Sequence, residues 1–190
     1  MKRSFSRHAF VVFAAAAALP LVCMAQTEPA KPAATDAKKL AFSSSDKLLV
    51  KNAGESYLGV THLAEVSKGG GPGSESVKER SKKIADDFGD AWGELAEVSK
   101  DRGAELPKSD QTTAEKRDIA DLKKAKPEKF DKLYLKALEK ETKHAAAAFT
   151  NGAKSASDPD LKAYFAKWQP KVVAMSEETS KAEAEAGKKK

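Results

Sequence analysis

Apolar residues in this chain recur at every third or fourth position through five separate stretches, and no run of five or more residues alternates as a strand would. That spacing gathers them on one side of a helix. A chain whose apolar stripes are all helical can bury them only by packing helix on helix, so the sequence specifies an all-α fold. Its 190 residues suffice for one domain with a real core.

The first helix follows "SSSD", with Ser45 as its N-cap. Its stripe is Leu48, Leu49, Asn52, Ala53, Ser56, Tyr57, Val60, Leu63 and Ala64, and "KGGGPG" at 68–73 stops it. The second runs from about Ser74 to Arg102 on Val77, Ser81, Ile84, Phe88, Ala91, Trp92, Leu95 and Val98, with Gly103 as its stop. A short third helix fits Thr113 to Lys124, with Ile119 and Leu122 inward. Pro127 opens the fourth, whose stripe is Phe130, Leu133, Tyr134, Ala137, Leu138, Ala145, Ala148 and Phe149. Asp158-Pro159 opens the fifth, which carries Leu161, Tyr164, Phe165, Trp168, Val172, Met175 and Thr179. Pro170 lies inside that helix, lacks the N–H owed to the carbonyl of Ala166, and should kink or split it.

Connection lengths then constrain topology. About six residues join the first two helices, which makes those two antiparallel neighbours; the short link between the fourth and fifth does the same. Residues 104–126 are different. Eight extended residues reach ~28 Å and a 12-residue helix adds ~18 Å. Together they match the ~43 Å of a 29-residue second helix, so this segment can cross from one end to the other. A crossover between the second and third long helices is ferritin-like connectivity. The expected architecture is a ferritin-like four-helix bundle over 44–186, with a short extra helix in its crossover.

The N-terminus reads differently. "MKRSFSRHAFVVFAAAAALPLVCMA" has a basic start, an apolar middle and small residues before position 26. It is a secretory signal peptide, 1–25, cleaved near Ala25, and its apolar run is shorter than the ~20 residues of a spanning helix. Val22 is too bulky before Cys23 for a lipid anchor there. A flexible linker, 26–43, opens with "QTEPAKPAATDAKK", and a basic tail occupies 187–190. Cleavage removes three basic residues and no acid, taking the formal charge from +6 to +3. It also removes the single Cys, and with it disulfide, thiol and thiolate chemistry. No basic stripe is interleaved with aromatics, which excludes nucleic acid as a partner. The Lys tail offers a weak contact with an anionic envelope surface, about 1 kcal/mol per Lys.

One motif points to metal chemistry. In "LEKETKHAAAAF", Glu141 and His144 stand at i and i+3, half of the signature of di-iron bundles. The other half is missing. The mature chain has only His62 besides, and Gly59 stands three residues before it. His144 falls at the margin of its helix's stripe, and "EKETKH" reads as a solvated charged run. Glu141 and His144 are therefore the candidates for a metal but read as surface residues, and no catalytic residue or cofactor is assigned. Asp86, Asp87, Asp90 and Glu94, with Arg80, Lys82 and Lys83 nearby, read as a salt-bridged face. The aromatics lie on inward stripes and read as core.

Three segments together resemble a known family: "VKERSKKIADDFGDAWGELAEVSKDRGAELP", "FDKLYLKALEKETKHAAAAF" and "SDPDLKAYFAKWQP". The marks are Gly103 with Leu106-Pro107, Phe130-Asp131-x-x-Tyr134-Leu135, and Asp158-Pro159-x-Leu161-Lys162. They resemble domain-of-unknown-function family 4142, bacterial secreted ferritin-like bundles labelled as outer membrane proteins, over about Ser45 to Glu178. The resemblance implies the fold and export, and no established activity. It also implies polar inward positions suggestive of a metal cluster, which fall here on Phe88, Thr142, Met175 and Tyr57. The expectation is a non-enzymatic, secreted bundle of the periplasm or envelope, structural or stress-related. The alternatives are a metal-binding ferritin-like protein and an envelope interaction module.

Overall fold

A computed structural model describes residues 40–68, 71–108 and 111–188. The segments read as a signal peptide and, up to residue 39, as a linker lie outside the described residues, as do the last two lysines. Five helices follow in order: α1 Ser44–Lys68, α2 Glu75–Ser99, α3 Thr113–Lys124, α4 Pro127–Ser155 and α5 Pro159–Lys188. Among the described residues there is no strand, and no helix is long and apolar enough to cross a membrane.

Local chemistry sets most of the boundaries. Thr112 and Glu115 form a reciprocal capping box on α3, with Thr112 Oγ1 accepting from the Glu115 N–H at 3.2 Å. Asp158 Oδ1 accepts from the N–H groups of Asp160 and Leu161, both at 3.0 Å, and so caps α5. The cap of α1 is Ser43 rather than Ser45. Ser43 Oγ accepts from the Asp46 N–H at 3.0 Å, and Asp46 in turn accepts from the N–H of Ser157 at 2.9 Å. α2 ends at Ser99, three residues before Arg102, because Asp101 (φ 60°) and Gly103 (φ 68°) both turn left-handed. Pro170 does not split α5, which runs on past it; Trp168 and Val172, buried on either side, hold both halves against the core.

Each long helix packs chiefly against two other long helices. α1 touches α2 and α4, and α5 touches α2 and α4. Contacts at the helix ends set their directions. The start of α1, the end of α2 and the α4–α5 turn meet at one end. There the buried Arg102 guanidinium bonds Asp158 and Asp160 and covers the Phe42 ring at 5.1 Å. At the other end Ser74, before α2, donates its N–H to Asp131 near the start of α4. The segment between α2 and α4 therefore crosses from end to end, and α3 lies along it against α1 and α4.

The core is aromatic. Phe149 meets Phe88, Tyr164 and Phe165 at centroid distances of 6.4, 5.9 and 5.6 Å. Tyr134 stacks on Phe130 and donates its hydroxyl to Ser81 at 2.7 Å, and burial pushes its pKa up to about 12. Several expected positions are corrected. Leu48 and Leu133 face solvent, while Val50 and Leu135 are buried in their place. Phe42 belongs to the core rather than to the tether, since its ring is covered and its N–H donates to the Arg102 carbonyl at 2.9 Å. The tail read from 187 begins as the last turn of α5. The acidic face of α2 ties outward to α5: Glu94 accepts from Lys167 Nζ at 2.6 Å and Trp168 Nε1 at 2.7 Å, and Lys83 lies 3.8 Å from Glu178.

Candidate functional site

Glu115 and Glu141 border one space beside Gly59, His62 stands next to Glu115, and each of the three is nine-tenths buried or more. Gly59 and His62 sit one turn apart on α1 and share a face. Gly59 leaves the room. A Cβ there would lie 2.6 Å from Glu141 Oε2 and 3.1 Å from Glu115 Oε1. Glu115 is oriented by its own cap, because its Oε2 accepts the Thr112 N–H and its Oε1 is thereby turned inward. That oxygen lies 3.7 Å from His62 Nδ1, beyond hydrogen-bond reach, and Nδ1 is buried without a hydrogen-bond partner.

Glu141 is corrected from surface to interior. It continues the stripe of Tyr134, Leu138 and Ala145, all fully buried. Burial pushes its carboxyl above the ordinary carboxylate range, and the Glu115 charge adds to this, while Lys140 and His144 oppose it. Lys140 Nζ stands 3.6 Å from Glu141 Oε1 and donates to Asp118 Oδ2 at 3.1 Å, so the one ammonium is divided between two carboxylates. A groove of about 620 Å³ between α1, α3 and α4 reaches the cluster; Asn52, Ser56, Thr112, Glu115, Glu141 and His144 are among its lining residues.

His144 is exposed at that groove, as expected, whereas Glu141 is buried, so the pair is divided between surface and interior. Sequence reasoning set His62 aside because Gly59 precedes it by three residues, and missed Glu115. The spacing 134–138–141–145 was the available signal for Glu141, and the Thr-x-x-Glu pattern for Glu115, though that pattern predicts a cap and not burial. As the side chains stand, no group of three or more His, Cys, Asp or Glu is gathered around a metal position among the described residues.

The positions that the resemblance marks as polar do not fit a metal cluster. Phe88 and Met175 are buried and offer no hard donor. Buried Thr142 donates its hydroxyl to the Glu139 carbonyl at 3.1 Å. Tyr57 stacks on Trp92 at 4.4 Å. Two apolar side chains, one satisfied hydroxyl and a stacked ring stand where donors were implied.

Neither a curated protein nor a solved structure matches the chain. One family does, over residues 31–182: DUF4142, described as a domain of unknown function. With most of its length inside that match, the chain belongs to the DUF4142 family.

Proposed function

We propose that this chain is an exported, non-enzymatic helical bundle of the periplasm or cell envelope, built on ferritin-like connectivity. The observation that carries the reading is the filling of the interior. Phe88, Thr142 and Met175 are all buried, Phe88 against the Phe149 ring, where a catalytic metal centre would need open donors. The end-to-end path of the segment carrying α3 supports the connectivity. The basic, apolar and small-residue order of positions 1–25 supports export.

Cell fractionation followed by mass spectrometry of the chain's N-terminus tests the location. The chain is expected in the periplasmic or envelope fraction, beginning at Gln26. A cytosolic chain retaining Met1, or a diacylglyceryl group on Cys23, overturns the proposal.

A further inference from the structure

We propose that His62, Glu115 and Glu141 form a site for a single divalent transition-metal ion at the inner end of the groove between α1, α3 and α4. Three observations carry it independently of the export reading. The first is an unmet need: His62 Nδ1 is buried with no hydrogen-bond partner. An imidazole nitrogen in that state is a free lone pair or an idle N–H, and buried nitrogen atoms are seldom left in either.

The second is spacing. Donors held at ~2.1 Å around a tetrahedral ion lie about 3.4 Å from each other. His62 Nδ1 and Glu115 Oε1 are 3.7 Å apart, too far for a hydrogen bond and close to such an edge. Glu141 Oε2 and Glu115 Oε1 both border the space left by the missing Gly59 side chain. The three donors are not yet gathered round one point. Glu141 is the one that completes the set by a side-chain rotation, since what holds its carboxylate is the half-exposed Lys140 at 3.6 Å and the charge of the exposed His144. Glu115 is fixed by its cap.

The third is charge. Two carboxylates and one imidazole are buried, and the ammonium beside Glu141, that of Lys140, is shared with Asp118. A dication offsets the cost of burying both carboxylates at once. One imidazole with two carboxylates and no sulfur suits zinc, manganese or iron(II). A fourth position facing the groove is left to water.

The test is calorimetric titration of zinc into the purified, chelator-stripped chain, with cobalt(II) absorption as a second readout. One equivalent is expected to bind. Affinity should fall at least tenfold in His62→Ala, Glu115→Gln and Glu141→Gln, and stay unchanged in His144→Ala. Glu115→Gln keeps an oxygen for the Thr112 N–H, so the cap survives. Gly59→Ala, which retains all three donors and crowds Glu141, should also weaken binding. Absence of zinc binding overturns the proposal, as does binding that survives all three donor substitutions or is lost in His144→Ala.

Discussion

Truncating Phe149 to alanine probes the aromatic centre directly. The ring is 1% exposed and meets Phe88 and Phe165 edge to face and Tyr164 at a tilt. Loss of a fully buried Phe side chain costs about 3–5 kcal/mol, the cavity included. With three ring partners lost at once, the upper half of that range is expected. A domain has only about 5–15 kcal/mol in total. At this size each kcal/mol lowers Tm by roughly 2–4 °C, so a fall of about 8–20 °C is predicted. Phe88→Ala should fall in the same range of energies. Because the two rings touch, the double variant should lose less than the sum by about 0.5–1.5 kcal/mol. Guanidinium unfolding followed by Trp92 and Trp168 fluorescence measures all four proteins. A loss under about 1 kcal/mol for Phe149→Ala, or strict additivity with Phe88→Ala, refutes the packing argument.

Three other changes separate buried from surface charge. Arg102→Ala strands Asp158 and frees Phe42, and should cost about 3–5 kcal/mol; faster hydrogen exchange at the Phe42 amide would locate the loss. Glu141→Gln should stabilise the metal-free chain, and only at higher pH. The folded carboxyl titrates above its unfolded value of 4.5, so the folded state holds a proton longer. Stability is therefore intact below 4.5 and declines as pH rises from there through the folded pKa. Melting from pH 4 to 8 should show the wild type and the Gln variant converging at the acid end and the variant ahead at neutral pH; equal curves throughout would contradict Glu141's burial. His144→Ala should move stability by no more than about 0.5 kcal/mol, and a larger loss in the same melts would show the imidazole to be engaged.

The three later helices were legible in the sequence because their ends are set by neighbours within a few residues. Thr112 with Glu115, Pro127, and Asp158 with Pro159 each act through hydrogen bonds or a fixed φ spanning at most four positions. Periodicity likewise found the buried faces carrying Phe88, Leu138, Phe149 and Phe165. What it left undecided turned on residues far apart in the chain. Ser43 and Ser45 are equally good caps in isolation; Asp46 decides between them by reaching Ser157, 111 residues on. Leu48 and Val50, or Leu133 and Leu135, differ by a rotation about the helix axis that only the neighbouring helices fix. The candidate site shows the same division. A sequence displays "EKETKH" as charge facing water, since nothing within that helix supplies a cover. α1 brings Gly59 against Glu141, and the crossover brings Glu115, so burial of this carboxylate follows from contacts between α4 and elements distant in sequence. Hydrogen bonding and helical period act over one turn and can be read from one segment, whereas desolvation depends on every atom that excludes water, and for Glu141 those atoms came from two other helices.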